Sequence, residues 1–201
     1  MTDDSSEISK KEKILLAASK LFLEKDFKTV STQEIASKAG VAKGTVFHHY
    51  ENKHLLALAV LDVFVNQMVS DFDKMKETTE PKEIIIGMIH YSMDLVTNST
   101  GLTQLLFQVI GDIDHLTKEP ENEVEKQIQN EVRKVENLLV GFINEFAIIF
   151  KRMGFENPIA YSRIFIGVLD GLGLQFALNP KPDTKLMEEL TTTMIALFTK
   201  R

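Results

Sequence analysis

No cysteine occurs in the 201 residues, which removes disulfides, thiolate nucleophiles and thiolate metal ligands together and agrees with a reducing compartment. No uninterrupted run of about eighteen apolar residues is present to span a bilayer. The opening MTDDSSEISKKEK carries charges where a signal peptide needs an apolar stretch. A cytoplasmic protein with no membrane partner is expected. Glycine and proline are sparse, at 10 and 5 residues, and few alternating β-branched runs occur, which argues against a sheet protein. The 44% hydrophobic content is normal for a chain with a packed core, so disorder is excluded as the default.

The net charge of −6 is unpromising for a nucleic-acid binder until it is divided along the chain. Residues 1–55 hold nine Lys against eight Asp and Glu, net +1, which leaves −7 for residues 56–201. An asymmetry of this kind suggests different partners for the two parts. The excess is too small to argue DNA binding by itself.

Apolar positions Ile14, Leu15, Ala18, Leu21 and Phe22 recur at helical spacing, predicting an amphipathic helix over about residues 7–25. Ser31 stands three residues before Glu34 in the S-x-x-E spacing of a capping box, and Ile35, Ala36 and Ala39 then share one face of a short helix ended by Gly40. A second short helix is expected from about 43 to 50. Asn52 can cap a long one from Lys53 to about Lys76. Further helices are expected over about 81–97, 101–115, 122–153, 158–178 and 183–199, separated by TNSTG, TKEPEN, MGFENP and NPKPD, all rich in caps and helix stoppers. The reading is an all-α fold of nine helices: a three-helix head over residues 1–52 and a larger helical body over 53–201.

The two short helices suit a helix-turn-helix. That motif needs a small residue where the helices touch, a turn residue able to adopt the left-handed conformation, and apolar residues to lock the angle. Ala36, Gly40, Ile35, Val41 and Val46 meet these needs. At about 100° per residue, Val46 and Tyr50 lie on the inner face of the second helix. Gly44, Thr45 and His48 then point outward, with Phe47 and His49 on the flanks and Lys43 at the start. This is the layout of a recognition helix.

Residues 10–55, and especially TVSTQEIASKAGVAKGTVFHHYENKHLL, resemble the DNA-binding head of the tetracycline-repressor (TetR) family of transcriptional regulators. The resemblance keeps the spacing from Phe22 through Ile35, Gly40, Thr45 and Lys53, whereas the body fits only in helix number and length. It implies that Thr45 and His48 face base edges in the major groove and that Lys43 approaches bases or a phosphate. Phe47 and His49 would lie along the backbone, Gly44 would allow close approach, and Lys53 would pair with a phosphate. Ser31 and Thr32 would offer a hydroxyl and helix N-terminal amides to another phosphate. Two departures weaken positioning: Phe47 stands where many relatives have Tyr, and Ala42 replaces the usual Ser or Thr cap.

Other chemistries find less support. His48, His49 and His54 lack further ligands at metal spacing, so no metal site is expected. His90 and Asp94 stand four apart on a largely apolar helix, and Asp170 interrupts another. Without a nucleophile or a Gly-rich phosphate loop they read as a hydrogen-bonded pair, a cap or polar anchors of a pocket, not as acid and base, and neither an enzyme nor a cofactor is expected. Met68, Phe72, Met93, Phe107, Phe142, Phe146 and Phe165 are candidate core, some of which must line any ligand cavity together with His90 and Asp170. Gly167 and Gly171 lie four apart with Gly173 close by, and glycine in a helix interior costs about 1 kcal/mol relative to alanine. Close helix packing would compensate, either inside one subunit or in the four-helix dimer interface that the family resemblance implies. The expected function is a homodimeric, ligand-responsive regulator, most simply a repressor released from a palindromic operator by a small, mainly apolar or amphipathic inducer. The rival is a helical small-molecule-binding protein or enzyme retaining the head as a remnant.

Overall fold

The computed structural model describes residues 8–98, 100–112, 119–178 and 183–200, and among them nine helices form close to where apolar spacing and chain breaks put them. They are α1 (Lys10–Glu24), α2 (Thr32–Ala39), α3 (Lys43–His49), α4 (Lys53–Thr78), α5 (Pro81–Asn98), α6 (Thr100–Asp112), α7 (Glu123–Arg152), α8 (Pro158–Leu178) and α9 (Thr184–Thr199). The expected extension of the sixth helix to 115 lies outside the described residues. The first helix starts at Lys10 instead of about residue 7, because Ser9 caps it. The Ser9 hydroxyl accepts from the Glu12 N–H, and the Glu12 carboxylate accepts from the Ser9 N–H at 2.9 Å. This complete capping box has the same S-x-x-E spacing as Ser31–Glu34.

The Ser31 box is only half formed. Ser31 accepts from the Glu34 N–H at 3.2 Å, but the Glu34 carboxylate turns to the Lys25 ammonium instead of back to the cap. The hydrogen bond from Lys25 holds the Glu34 carboxyl below its ordinary pKa. Two helices end on glycines in the left-handed region, Gly40 at φ 67° and Gly154 at φ 80°. After α2, the Val41 N–H reaches back to the Ala36 carbonyl at 3.0 Å; after α7, the Phe155 N–H reaches Phe150 at 3.0 Å. Both are six-to-one bonds of a Schellman ending, which satisfies carbonyls that the helix leaves open. At the start of α4, the Asn52 side chain accepts from the His54 N–H at 2.7 Å, the cap expected there.

Contacts divide the chain into two units. One comprises Met1–Phe64 with Gln104–Glu131, the other Val65–Thr103 with Val132–Arg201. In the first, Ile14, Ala18, Phe22, Phe27, Ile35, Ala36 and Val46 are buried between α1, α2 and α3. In the second, α5 packs on α8 and α9, and a core runs through Phe72, Ile84, Ile85, Ile89, Phe146, Phe150, Phe165 and Phe198. Its phenylalanines form a chain of edge-on and tilted contacts: Phe72 to Phe146 at 5.2 Å, Phe146 to Phe165 at 5.0 Å and Phe165 to Phe198 at 5.0 Å. Such arrangements place the ring edges against neighbouring ring faces.

Candidate nucleic-acid interface

The first unit is built so that one short helix presents a polar face. Ile35 and Ala36 are fully buried in α2, and Val46 is fully buried in α3, with Tyr50 nearly so. Burial pushes the Tyr50 phenol above its ordinary pKa, and the Lys11 ammonium lies 5.9 Å from its ring centroid. With Val46 and Tyr50 fixed inward, helical geometry turns Lys43, Gly44, Phe47 and His48 to the outside, all four being exposed. Thr45 and His49 are half-buried beside them. A Cβ built on Gly44 meets nothing within 4 Å, so its bare backbone faces open space.

The exposed face mixes charge, aromatics and hydrogen-bonding groups. The Lys43 ammonium lies 5.8 Å from the Phe47 ring centroid, within cation–π range. The His48 and His49 rings meet edge to face at 5.2 Å. Ala42 begins α3 with no side-chain cap, leaving the Thr45 N–H to bond the Ala42 carbonyl at 2.9 Å. On α2, Ser31 is exposed and Thr32 half-buried. The Ser31 oxygen already accepts from Glu34, which leaves its hydroxyl proton as the donor it can offer.

Lys53 needs correction. The expectation gave its ammonium to a phosphate; the structure directs it at three carbonyl oxygens, those of Phe27 at 2.9 Å, Val30 at 3.1 Å and Lys28 at 3.4 Å. The same ammonium sits 4.4 Å from the Phe27 ring centroid. An ammonium has three N–H donors, and all three are taken by the connection between α1 and α2.

The residues expected to line a ligand site are only partly gathered. Phe72, Met93, Phe142, Phe146 and Phe165 share the core of the second unit, joined by Phe72 and Phe142 at 5.3 Å. Met68 is half-buried outside that cluster, His90 is exposed, and Phe107 is 37% exposed in the other unit. Asp170 keeps a solvent-open side, while burial of its carboxyl among surrounding atoms raises its pKa above the ordinary value. The glycines of α8 separate sharply. Gly173 is buried, and a Cβ there would stand 3.4 Å from the Thr103 methyl group, whereas Gly167 and Gly171 face open space. Ile164 and Leu178, 57% and 77% exposed, continue the open face.

Three features escaped sequence reasoning. The Ser9–Glu12 box carried the right spacing and was legible. Phe150 and Phe198, central to the second core, share the helical period of their neighbours. Gln108 on α6, which bonds the backbone of Phe27 at 2.9 Å, lies 81 residues away and left no local signal. Among the described residues, no group of three His, Cys, Asp or Glu is arranged to hold a metal.

Comparison with known proteins agrees with this geometry. Residues 14–60 match the family described as bacterial regulatory proteins, tetR family. The transcriptional activator FasR of Mycolicibacterium smegmatis is 28% identical over 96 residues, which cover 47% of this chain and 44% of that protein, so the chain spans less than half the length of this relative. Solved structures agree over nearly the whole chain. AibR, in complex with isovaleryl coenzyme A and operator DNA, superposes with a TM-score of 0.62 at 18% identity, covering 95% of this chain and 99% of that one. FadR from Bacillus subtilis, in complex with stearoyl-CoA, gives 0.65 at 19% identity, covering 94% and 97%. At these identities the likeness is one of fold.

Proposed function

Because the chain belongs to the TetR family of DNA-binding transcriptional regulators, which are not enzymes, we propose that it is a homodimeric repressor released from a palindromic operator by a small, mainly apolar or amphipathic ligand. The observation that carries the reading is the face of α3: Lys43, Gly44, Phe47 and His48 outward, over Val46 and Tyr50 locked inward. In this role Thr45 and His48 read base edges, Lys43 meets a base or phosphate, and Phe47 and His49 lie along the backbone. Ser31 and Thr32 hold a further phosphate. Residues 1–52 serve as the DNA-binding head and 53–201 as the ligand-binding and dimerisation body, working in the cytoplasm.

The dimer reading rests on α8. Gly167 and Gly171 leave its open face narrow enough for another helix to approach, and Ile164 and Leu178 supply apolar surface with no cover from the same chain. A two-fold pair places two recognition helices about 34–36 Å apart, one turn of B-DNA, or at a related spacing. For the ligand, AibR and FadR are each described with a coenzyme A thioester, which makes acyl-CoA thioesters the first class to test. An activator is the second reading, favoured by the name of FasR.

Fluorescence anisotropy with the duplex upstream of the protein's own gene, against a scrambled duplex, tests the DNA reading. Tighter binding to the upstream sequence is expected, and equal affinity for both at moderate salt would defeat it. Addition of isovaleryl-CoA and stearoyl-CoA should then weaken operator binding, and a reporter strain separates repression from activation.

A further inference from the structure

The connection between α1 and α2 has no regular structure, yet its backbone groups are accounted for one by one. The Lys28 N–H bonds the Asp26 side chain at 2.8 Å, and the Thr29 N–H bonds the Asp26 carbonyl at 3.0 Å. The Phe27 N–H goes to the Gln108 side-chain oxygen at 2.9 Å, and the Gln108 amide nitrogen donates to the other Asp26 carboxylate oxygen at 3.0 Å. The carbonyls of Phe27, Lys28 and Val30 go to Lys53. One side of the connection is thus held from the first residue of α4, the other from α6. Phe27 and Val30, each 1% exposed, pin it between these grips.

We propose that Lys53 and Gln108 are positioning residues for DNA binding, which fix residues 26–30 and thereby the entry of α2, with Lys53 serving through carbonyl oxygens instead of neutralising a phosphate. The inference rests on the DNA-binding reading above. Its physical basis is that Val30 directly precedes Ser31, the cap of α2, and α2 carries α3 through the Gly40 turn. An irregular segment of five residues would otherwise be free to move, since each residue left unfixed retains about 1–2 kcal/mol of backbone entropy. Charge-assisted bonds from an ammonium are stronger than neutral ones. Gln108 contributes what only a side-chain amide can: one acceptor for the Phe27 N–H and one donor for the Asp26 carboxylate.

The test uses the full chain, a random-sequence duplex and the upstream duplex, with anisotropy followed from about 50 to 200 mM salt. Lys53→Met and Gln108→Leu should each weaken binding by about tenfold, equivalent to about 1.4 kcal/mol, with the slope of log affinity against log salt unchanged. Hydrogen exchange should show the Phe27 amide losing protection in Gln108→Leu. Gln108→Glu sets a carboxylate against Asp26 and should behave likewise, while adding Asp26→Asn, whose amide can donate to that carboxylate, should restore binding. Should Lys53→Met fail to fold, the Gln108 variants and this rescue still decide the matter. A salt slope reduced by about 0.9 per subunit in Lys53→Met, together with wild-type binding by Gln108→Leu, would overturn the proposal in favour of a phosphate contact. Absence of duplex binding by the wild type overturns the DNA reading itself and the positioning role with it, an outcome distinct from equal binding by wild type and variants.

Discussion

Replacing Gly44 by alanine should move stability and DNA affinity in opposite directions. Gly44 is the second residue of α3, its φ is not positive, and a Cβ built there meets nothing within 4 Å. No steric cost therefore opposes the gain from restricting the unfolded chain, and a helical Gly→Ala exchange is worth about 0.5–1 kcal/mol. For a chain of this size, that raises Tm by about 1–4 °C. The same methyl group lies on the face assigned to the duplex. Overpacking a fitted contact costs about 1–3 kcal/mol, or about 5- to 150-fold in affinity. Gly40→Ala is the internal contrast. Its Cβ also meets nothing within 4 Å, but φ is +67°, and a left-handed non-glycine residue costs about 1–2 kcal/mol, so this variant should melt lower. Thermal melting by circular dichroism and anisotropy with the upstream duplex measure the two quantities. A Gly44→Ala protein that is more stable and binds DNA as tightly as wild type refutes the placement of this face against the duplex.

Substituting Thr45 or His48 should relax preference at one operator position, with each lost base contact worth about 1–3 kcal/mol; equal losses on specific and random duplexes would sink their role as readers. Gly167→Leu or Gly171→Leu should leave the isolated subunit folded, because both positions are open, while dissociating the dimer. Light scattering that finds these variants fully dimeric would move the interface elsewhere. Gly173→Leu should instead lower Tm, since Thr103 already lies at 3.4 Å. Asp170 has a folded pKa raised above 3.8, so the folded chain holds its proton more readily than the unfolded one. Its contribution is greatest below the unfolded pKa and is lost as pH rises through the folded one. Asp170→Asn should therefore raise Tm at neutral pH and leave it little changed near pH ~3, and a rise of equal size at both would show that its charge is not the cause.

Local chemistry alone determined the helices, because the signals that start, sustain and stop a helix act over three or four residues. Ser31 and Asn52 as caps, Gly40 as the left-handed stop, and the inward Val46 and Tyr50 were all readable in a short window, as was the outward face of α3. The same locality hid what distant residues do. Lys53 has the charge and place of a phosphate ligand, and only the folded chain brings the carbonyls of Phe27, Lys28 and Val30 to its ammonium. Glu34 has the spacing of a capping-box partner, yet Lys25 is nearby in space and charged, and takes it. Gly167, Gly171 and Gly173 look alike in sequence. Which of them packs against Thr103 and which faces open space depends on how α8 is rotated in its bundle. That rotation is fixed by the sum of many apolar contacts between segments far apart in the chain, and no window of the sequence contains both sides of any one of them.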